Sequence, residues 1–568
     1  MLLSKNKGVE EVSYQDNLNL WKNAHNLDPK LKAEFEKMNE TELQEVFAND
    51  LEFGTAGLRG IIGAGTGRMN LYTIRRATLA FMQFLQTQHS PTDLKTKGVV
   101  IGHDNRHFST EFAQEVANIL ATNNIKAILF DKNELRPTPV VSYSIRKVNA
   151  LAGIIITASH NSREYNGYKI YDEFGCQFLP VATDVIGEYY LNIKNEVFDL
   201  ALNPDPNLIT YVPHQIEQNY IDDVKAMQFY PNQFRNIKIV FSNLHGTSKD
   251  WTPKILRECG YEVIIVEEQY PNDPDFTYAP NPNPELPECY DLAIKYAKKH
   301  DADIIILNDP DADRLGIAVK TAANDYYLMT GNETAPVLIE YLFSHYKKNN
   351  TLPPNGVMYN TFVTGNLSDK VAESYGVKVI KTLTGFKWIG SQMRLEPKRN
   401  LKFLFGFEEA YGYVLKDITR DKDGIQSSMV IVEACWYYHQ QGKSLYDVLN
   451  DIYQKFGYYY CYTVNLVKKG VEGKQIIKNM LKTLRNEEIK QLNKIKCVNK
   501  EDYLNGLYNM PGQDLLKFYF KDGSWFAVRA SGTEPKIKFY FVCVDNSTPN
   551  AKAKMEAMFK DLEANYLS

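Results

Sequence analysis

The stretch ADIIILNDPDADRLG (302–316) decides the fold class of this chain. Its first half is a continuous apolar run rich in isoleucine rather than an alternation, the pattern of a strand buried on both faces of a parallel layer. Its second half is a turn carrying three carboxylates, Asp309, Asp311 and Asp313, at two-residue spacing. In a helix-covered parallel sheet the carboxyl ends of the strands line the ligand crevice, which is where this turn stands. The same construction recurs on either side: KGVVIG (97–102), KAILF (126–130), LAGIIITA (151–158), IKIVFS (237–242), YEVIIV (261–266), GVMYNT (356–361), VKVIKT (377–382) and LKFLFG (401–406). Helix-period segments such as 109–123 separate them, so the class is α/β.

The rhythm breaks at two proline-rich places. LNPDPNLITYVPH (202–214) reads as a domain boundary, and YPNDPDFTYAPNPNPELPE (270–288) as a long loop within a domain, because no helix or central strand tolerates that proline density. The last hundred or so residues change character, with aromatic alternation in KFYF, WFAVRA and KIKFYFVCV, and are expected to form a separate antiparallel α+β domain.

At 568 residues, and about 150 residues per domain, several units are expected. Lys plus Arg is 65 against 69 Asp plus Glu, so the net charge of −4 gives no general attraction to nucleic acid or anionic lipid. Any anionic ligand must meet locally focused positive charge. The seven cysteines are scattered without a C-x-x-C pair, which fits reduced thiols in a cytoplasmic protein. The N-terminal MLLSKNKGVEEVSYQDNLNL lacks the apolar core of a signal peptide, and the apolar runs are far shorter than the ~20 residues that span a bilayer.

Four loops carry the residue types of phosphoryl chemistry. TASHN (157–161) follows a buried-strand pattern and presents Ser159, with His160 beside it. Neighbouring side chains on extended backbone diverge, which makes His160 a poor base for Ser159. A simple Ser/Thr/Asn turn is the alternative reading. Downstream, Lys169 could place an ammonium near a phosphorylated hydroxyl or be a solvated surface lysine. The D-x-D-x-D loop suits Mg²⁺, which takes a few carboxylate oxygens and leaves room for a phosphate; the alternative is an acidic turn with Arg314 as partner. It is no EF-hand, because Arg314 and Lys320 stand where that loop needs Gly and Glu. FGFEEAYGY (405–413) offers Glu408 and Glu409 to sugar hydroxyls, and TLTGFKWIG (382–390) brings Thr384, Gly385 and Lys387. VRASGTEPKIKFY (528–540) puts Arg529, Ser531, Gly532, Thr533 and Lys536 within one turn, a set that can grip a dianionic phosphate. A glycine-dense segment, EFGTAGLRGIIGAGTGRMN (52–70), adds Arg59 as an anion contact; it is no Walker loop.

Together these loops resemble the α-D-phosphohexomutase superfamily, from about residue 50 to the end. The order is that of the family: G-T-x-G-x-R-G (Gly54 to Gly60), T-x-S-H-N (Thr157 to Asn161), D-x-D-x-D-R (Asp309 to Arg314), the sugar loop (Gly406 to Gly412) and R-x-S-G-T-E-P (Arg529 to Pro535). The resemblance implies a heart-shaped, four-domain architecture: three related mixed α/β domains and a C-terminal TATA-binding-protein-like α+β domain. The expected divisions are a helical extension over 1–48, then 49–213, 214–330, 331–455 and 456–568. It further implies a phosphoserine at Ser159, one Mg²⁺ on Ser159, Asp309, Asp311 and Asp313, and a sugar 1,6-bisphosphate intermediate such as glucose 1,6-bisphosphate. Lys169 matches the family's acid or base, Arg314 and Arg59 add positive field, and Arg529, Ser531, Gly532 and Thr533 hold the non-reacting phosphate. Thr384, Gly385, Lys387 and Glu408 would contact the sugar phosphate.

The sugar loop reads Gly406-Phe407-Glu408-Glu409-Ala410, so a hydroxyl usual in glucose-specific members is missing at Ala410. That resembles the branch with phosphopentomutases and glucose-1,6-bisphosphate synthases, whereas Thr384-Gly385-Phe386-Lys387 resembles glucose-preferring members. Glucose phosphates are the first expectation, with mannose and pentose phosphates open, and a monomer and a homodimer both open. Two readings outside the family are an aspartyl-nucleophile phosphotransferase, whose D-x-D-x-[TV] pattern neither frame supplies, and a non-catalytic sugar-phosphate binder.

Overall fold

The computed structural model describes residues 14–54, 57–468, 470–530 and 536–567. Four sheets follow one another along the chain. The first has six strands in the spatial order Gly57–Ile61, Tyr165–Asp172, Ala152–Ile156, Val99–His103, Ala127–Leu129, Ile209–Tyr211. Its central strands are parallel, and the pair at the Gly57 end runs antiparallel. The second orders Tyr326–Met329, Leu315–Lys320, Ile304–Asn308, Lys238–Ser242 and Glu262–Ile265, again mixed. The third orders Lys378–Thr382, Gly356–Thr361, Lys402–Glu408 and Gly412–Val414. All the apolar runs read above are strands in these three sheets, and the central ones, such as Ile304–Asn308 and Ala152–Ile156, are buried along their whole length.

The fourth sheet is antiparallel throughout: Tyr458–Val467, Lys536–Asp545, Trp525–Ala530, Leu515–Phe520, Ile495–Asp502 and Gln491–Leu492. Two helices, Gly470–Asn486 and Thr548–Tyr566, cover one face, where Phe518, Phe526, Val528 and Phe539 meet Leu481, Leu484 and Met558. The two-residue alternation sends Leu515, Trp525, Ala527 and Tyr540 to the other face, against Phe362, Leu383 and Trp388 of the third domain. The architecture is the expected one: three mixed α/β layers and a C-terminal antiparallel domain.

Two short strands correct the sequence reading. Gly57–Ile61 lies in the segment taken as a glycine-dense loop, and Ile209–Tyr211, a strand of the first sheet just before the expected boundary at 213, lies in a proline-rich stretch read without a strand. Both are edge strands, whose one-sided pairing asks for neither length nor a continuous apolar run.

Helices Tyr14–Asn23, Pro29–Phe35 and Glu40–Phe47 strap the first domain. Trp21 is buried between Phe35, Phe47, Tyr72 and Phe198, ring centroids 5.4–6.1 Å away. Residues 1–13 lie outside the described residues.

Candidate active site

The loop after strand Ala152–Ile156 turns sharply because Ser159 takes a left-handed backbone, φ 53°. That conformation is costly for a non-glycine residue and persists where surroundings fix it. Here the Ser159 amide donates to Thr157 Oγ1 at 2.8 Å, and the Ser159 carbonyl accepts from the buried Arg106 guanidinium at 2.6 Å. The kink overturns one expectation. Ser159 and His160 do not diverge: Ser159 Oγ lies 3.2 Å from His160 Nδ1. Burial, then the cations Arg314, Arg59, Lys169 and Arg106, push the imidazole well below its ordinary range, so it is neutral.

Ser159 Oγ also donates to Asp309 Oδ2 at 2.8 Å. Ala312 is likewise left-handed, φ 59°, and this reversal folds the D-x-D-x-D stretch so that oxygens of Asp309, Asp311 and Asp313 lie within 4.8 Å of one another. All three are buried. Burial and then repulsion from Asp311 and Asp313 push the Asp309 carboxyl well above its ordinary range. Burial would push Asp311 up too, but the Lys169 ammonium, with hydrogen bonds from Lys169 and Asp309, holds it below that range.

The alternative reading, an acidic turn closed by Arg314, does not hold, although Arg314 acts electrostatically on Asp309, Asp313 and His160. Arg314 does not partner the aspartates through its side chain; its backbone amide donates to Asp309 Oδ1 at 2.9 Å, while its guanidinium bonds Glu285 at 2.5 Å and Asn283 at 3.1 Å from the proline-rich loop. Its other nitrogen lies 3.5 Å from His160 Nε2. The aspartates are met instead by Lys169, 2.8 Å from Asp311 and 3.6 Å from Asp313, and by Lys422, 3.1 Å from Asp313. Thr138 adds a hydroxyl bond to Asp311 at 3.0 Å. Arg59, on its edge strand, donates to Asn161 Oδ1 at 3.1 Å.

Asp311 Oδ1 and Asp313 Oδ1 are buried without a hydrogen-bond partner. Buried carboxylate oxygens left this way, converging beside a serine hydroxyl, fit a divalent cation. The donor set is all oxygen, which selects Mg²⁺-like ions over zinc.

The sugar loop is zipped to the metal loop: Leu315 N–H donates to Tyr411 O, and Gly424 N–H to Ala312 O, each at 3.0 Å. Gly385, with φ 112°, a backbone conformation that residues with a side chain rarely adopt, opens helix Phe386–Arg399, and its amide donates to Glu408 Oε1 at 2.7 Å. Burial and then the neighbouring Glu409 raise Glu408 to about 7. Burial, partly offset by Glu408, lowers Lys387 to about 8, and Arg529 adds repulsion. Thr384 Oγ1 is buried without a hydrogen-bond partner, and Ala410 is half-buried in the turn beside Glu409. Arg529 donates to the Tyr540 hydroxyl at 3.3 Å and is felt electrostatically at both Glu408 and Glu409. Ser531, Gly532 and Thr533 lie outside the described residues.

The structure thus gathers two clusters, Ser159–His160–Lys169 with the aspartates, and Thr384–Lys387 with Glu408 and Arg529. Sequence reading missed Arg106, Thr138, Lys422 and Gly246. HDNRH (103–107) after a buried strand was a signal for the first. Lys422 and Gly246 carry no local signal, because each acts on a loop far away in sequence.

Profiles of the phosphoglucomutase/phosphomannomutase family match four segments in order: alpha/beta/alpha domain I at residues 50–197, domain II at 218–322, domain III at 330–456 and the C-terminal domain at 480–557. The chain belongs to this family. It is 35% identical over 534 residues to a phosphoglucomutase of Staphylococcus epidermidis, covering 90% of this chain and 94% of that one. A Staphylococcus haemolyticus phosphoglucomutase is 34% identical over 560 residues, covering 94% and 98%. Among solved structures, the Paramecium phosphoglucomutase pp63/parafusin in its open form superposes with a TM-score of 0.66 at 22% identity, covering 90% of this chain and 94% of that one. A Burkholderia thailandensis phosphoglucomutase/phosphomannomutase family protein gives 0.65 at 17%, covering 90% and 97%.

Proposed function

We propose that the chain is a phosphoglucomutase, interconverting glucose 1-phosphate and glucose 6-phosphate through a phosphorylated Ser159 and a bisphosphorylated sugar. The observation that carries this reading is Ser159 Oγ at 2.8 Å from Asp309, at the mouth of a buried triad of carboxylates. An aspartyl nucleophile has no such need of the serine.

Asp309, Asp311 and Asp313 would hold Mg²⁺ together with an oxygen on Ser159. Bound there, the ion offsets the negative charge that gathers on a transferring phosphoryl group. In the first half-reaction a free sugar hydroxyl attacks the phosphorus on Ser159. The P–Oγ bond breaks, the electron pair stays on Oγ, which takes up the proton lost by the sugar hydroxyl, and the sugar becomes a bisphosphate. In the second half Ser159 Oγ attacks the other phosphate of that bisphosphate, the bond between that phosphorus and its sugar oxygen breaks with the electron pair on the sugar oxygen, and the serine proton must leave to reach that oxygen. His160 Nδ1, neutral and 3.2 Å away, is placed to take it. Lys169, tied to Asp311 and Asp313, keeps the carboxylates in place and faces the same phosphate. Glu408 accepts sugar hydroxyl hydrogens, and Lys387 and Arg529, with Ser531, Gly532 and Thr533, grip the phosphate that is not reacting.

A second reading, a phosphopentomutase on the same chemistry, is favoured by Ala410, which offers the sugar no hydroxyl. The test is kcat/KM for glucose 1-phosphate, mannose 1-phosphate and ribose 1-phosphate with Mg²⁺ and a trace of glucose 1,6-bisphosphate. Dominant glucose turnover supports the first reading, and dominant ribose turnover the second. Ser159→Ala should remove at least about 10³-fold of any activity; an aspartyl enzyme would keep most of it.

A further inference from the structure

A cavity of about 860 Å³ lies between the third and fourth domains. It is separate from the catalytic cleft, since neither the aspartates, Ser159, Thr384–Lys387, Glu408 nor Arg529 line it. Its size is within the range of small-ligand sites. Strand Lys378–Thr382 contributes Lys378 and Lys381, the end of helix Phe386–Arg399 contributes Arg399, and strand Leu515–Phe520 contributes Lys517. No carboxylate is in the lining; every charged residue there is a cation. Behind the wall, Asp369 pairs with Lys381 at 2.7 Å.

Lys517 is the unusual member. It is 3% exposed, donates to Phe362 O at 2.8 Å and stands 3.7 Å over the Trp525 ring. Burial pushes its ammonium down to about 7, Lys381 adds repulsion, and Glu501 and Asp369 pull the other way. An arriving anion would fix its charge. In the same lining, Tyr508 stacks on Phe362 with centroids 5.8 Å apart and donates its hydroxyl to Glu501, and Tyr508 is 62% exposed, which leaves ring surface for a further ring. A sugar recognised through its hydroxyl hydrogens needs acceptors such as Glu408, and the lining offers no carboxylate. Cations and aromatic rings in one lining suit instead an anion that carries a planar base.

The walls also reach the catalytic cleft. Strand Lys378–Thr382 runs directly into Thr384–Lys387, and Lys517 is paired in register with Ala527, two residues before Arg529. A ligand that drew these walls together would act on both segments assigned to substrate.

We propose that this cavity is an effector site for a nucleotide, its phosphates held by Lys378, Lys381, Arg399 and Lys517 and its base against Tyr508. The test is isothermal titration calorimetry on the full chain, with ATP and inorganic phosphate as probes at constant free Mg²⁺, alongside mutase assays. ATP is expected to bind with Kd between about 10 µM and 1 mM, at least about tenfold tighter than phosphate, without being displaced by glucose 1-phosphate. Lys378→Ala/Arg399→Ala and Tyr508→Ala should each weaken ATP about tenfold and leave kcat/KM without ATP unchanged, which also shows that they fold. ATP should shift the KM for glucose 1-phosphate in the wild type and not in the double variant. No binding up to about 5 mM, unchanged affinity in the variants, displacement by glucose 1-phosphate, phosphate binding as tight as ATP, or binding without a KM shift would each overturn the proposal. Calorimetry does not depend on turnover, so it fails or succeeds separately from the catalytic reading.

Discussion

Lys387 and Glu408 sit in the same cleft with charges that burial has moved toward neutrality from opposite sides. Lys387, lowered to about 8, is cationic below that pH and loses its charge as pH rises through it. Glu408, raised to about 7, is a carboxylate above that pH and gains a proton as pH falls through it. On the proposed roles, Lys387 for a substrate phosphate and Glu408 for sugar hydroxyls, kcat/KM should fall on both sides of a narrow optimum between about 7 and 8. Lys387→Arg, whose guanidinium stays charged, should flatten the alkaline limb and leave the acid limb in place; a pH–rate profile of both enzymes checks this. The motif of Ser159 was legible in the sequence, but its geometry was not. An isolated T-x-S-H-N stretch does not disclose φ 53°, and without that kink the histidine beside the serine reads as pointing away.

At the level of elements, the metal loop depends on a neighbour with no chemistry of its own. Gly246, after strand Lys238–Ser242, lies so close to the D-P-D turn that a Cβ there would come 2.3 Å from Pro310 Cα and 2.5 Å from its carbonyl oxygen. Backbone cannot give way as a side chain can, so Gly246→Ala must push the loop. Mg²⁺ affinity, measured by titration, should drop at least about tenfold, roughly 1.4 kcal/mol, with far-UV circular dichroism unchanged. The N-terminal helices make a second element-scale case. Trp21→Ala empties a fully buried site among four rings and should cost about 3–5 kcal/mol, read as a lower melting temperature, with the substrate KM unaffected. Long central strands were legible because both of their faces are buried and their apolar runs are unbroken. The short edge strands Gly57–Ile61 and Ile209–Tyr211 were not, since sheet neighbours and not their own residues hold them.

Across the whole molecule, the site is stitched from three domains around one group of carboxylates. Thr138 and Lys169 come from the first domain, the aspartates from the second, and Lys422 from the third, where it also pairs with Asp421 at 3.1 Å. Tyr171 of the first domain closes the ring by donating to Asp421 at 2.7 Å. A cation bound to the folded form alone stabilises it by mass action, about 2.7 kcal/mol at a hundred times its dissociation constant. Saturating Mg²⁺ should therefore raise the melting temperature by roughly 2 °C, and Asp313→Asn should remove most of that rise. A thermal shift unchanged by Asp313→Asn would place the ion elsewhere. Among the described residues no helix is long and apolar enough to cross a membrane.

The sequence by itself determined the α/β class, the change to an antiparallel C-terminal domain and the loops that carry the candidate side chains, because burial on two faces and motif spacing are written into neighbouring residues. Only the tertiary structure decided the partners. It gave the aspartates Lys169 and Lys422 as ion-pair partners, tied the Arg314 guanidinium to Glu285 of the proline-rich loop, and set His160 against Ser159. Those pairings join residues up to 142 positions apart, and which charges meet over such spans is fixed by how sheets pack, a choice that no local pattern encodes.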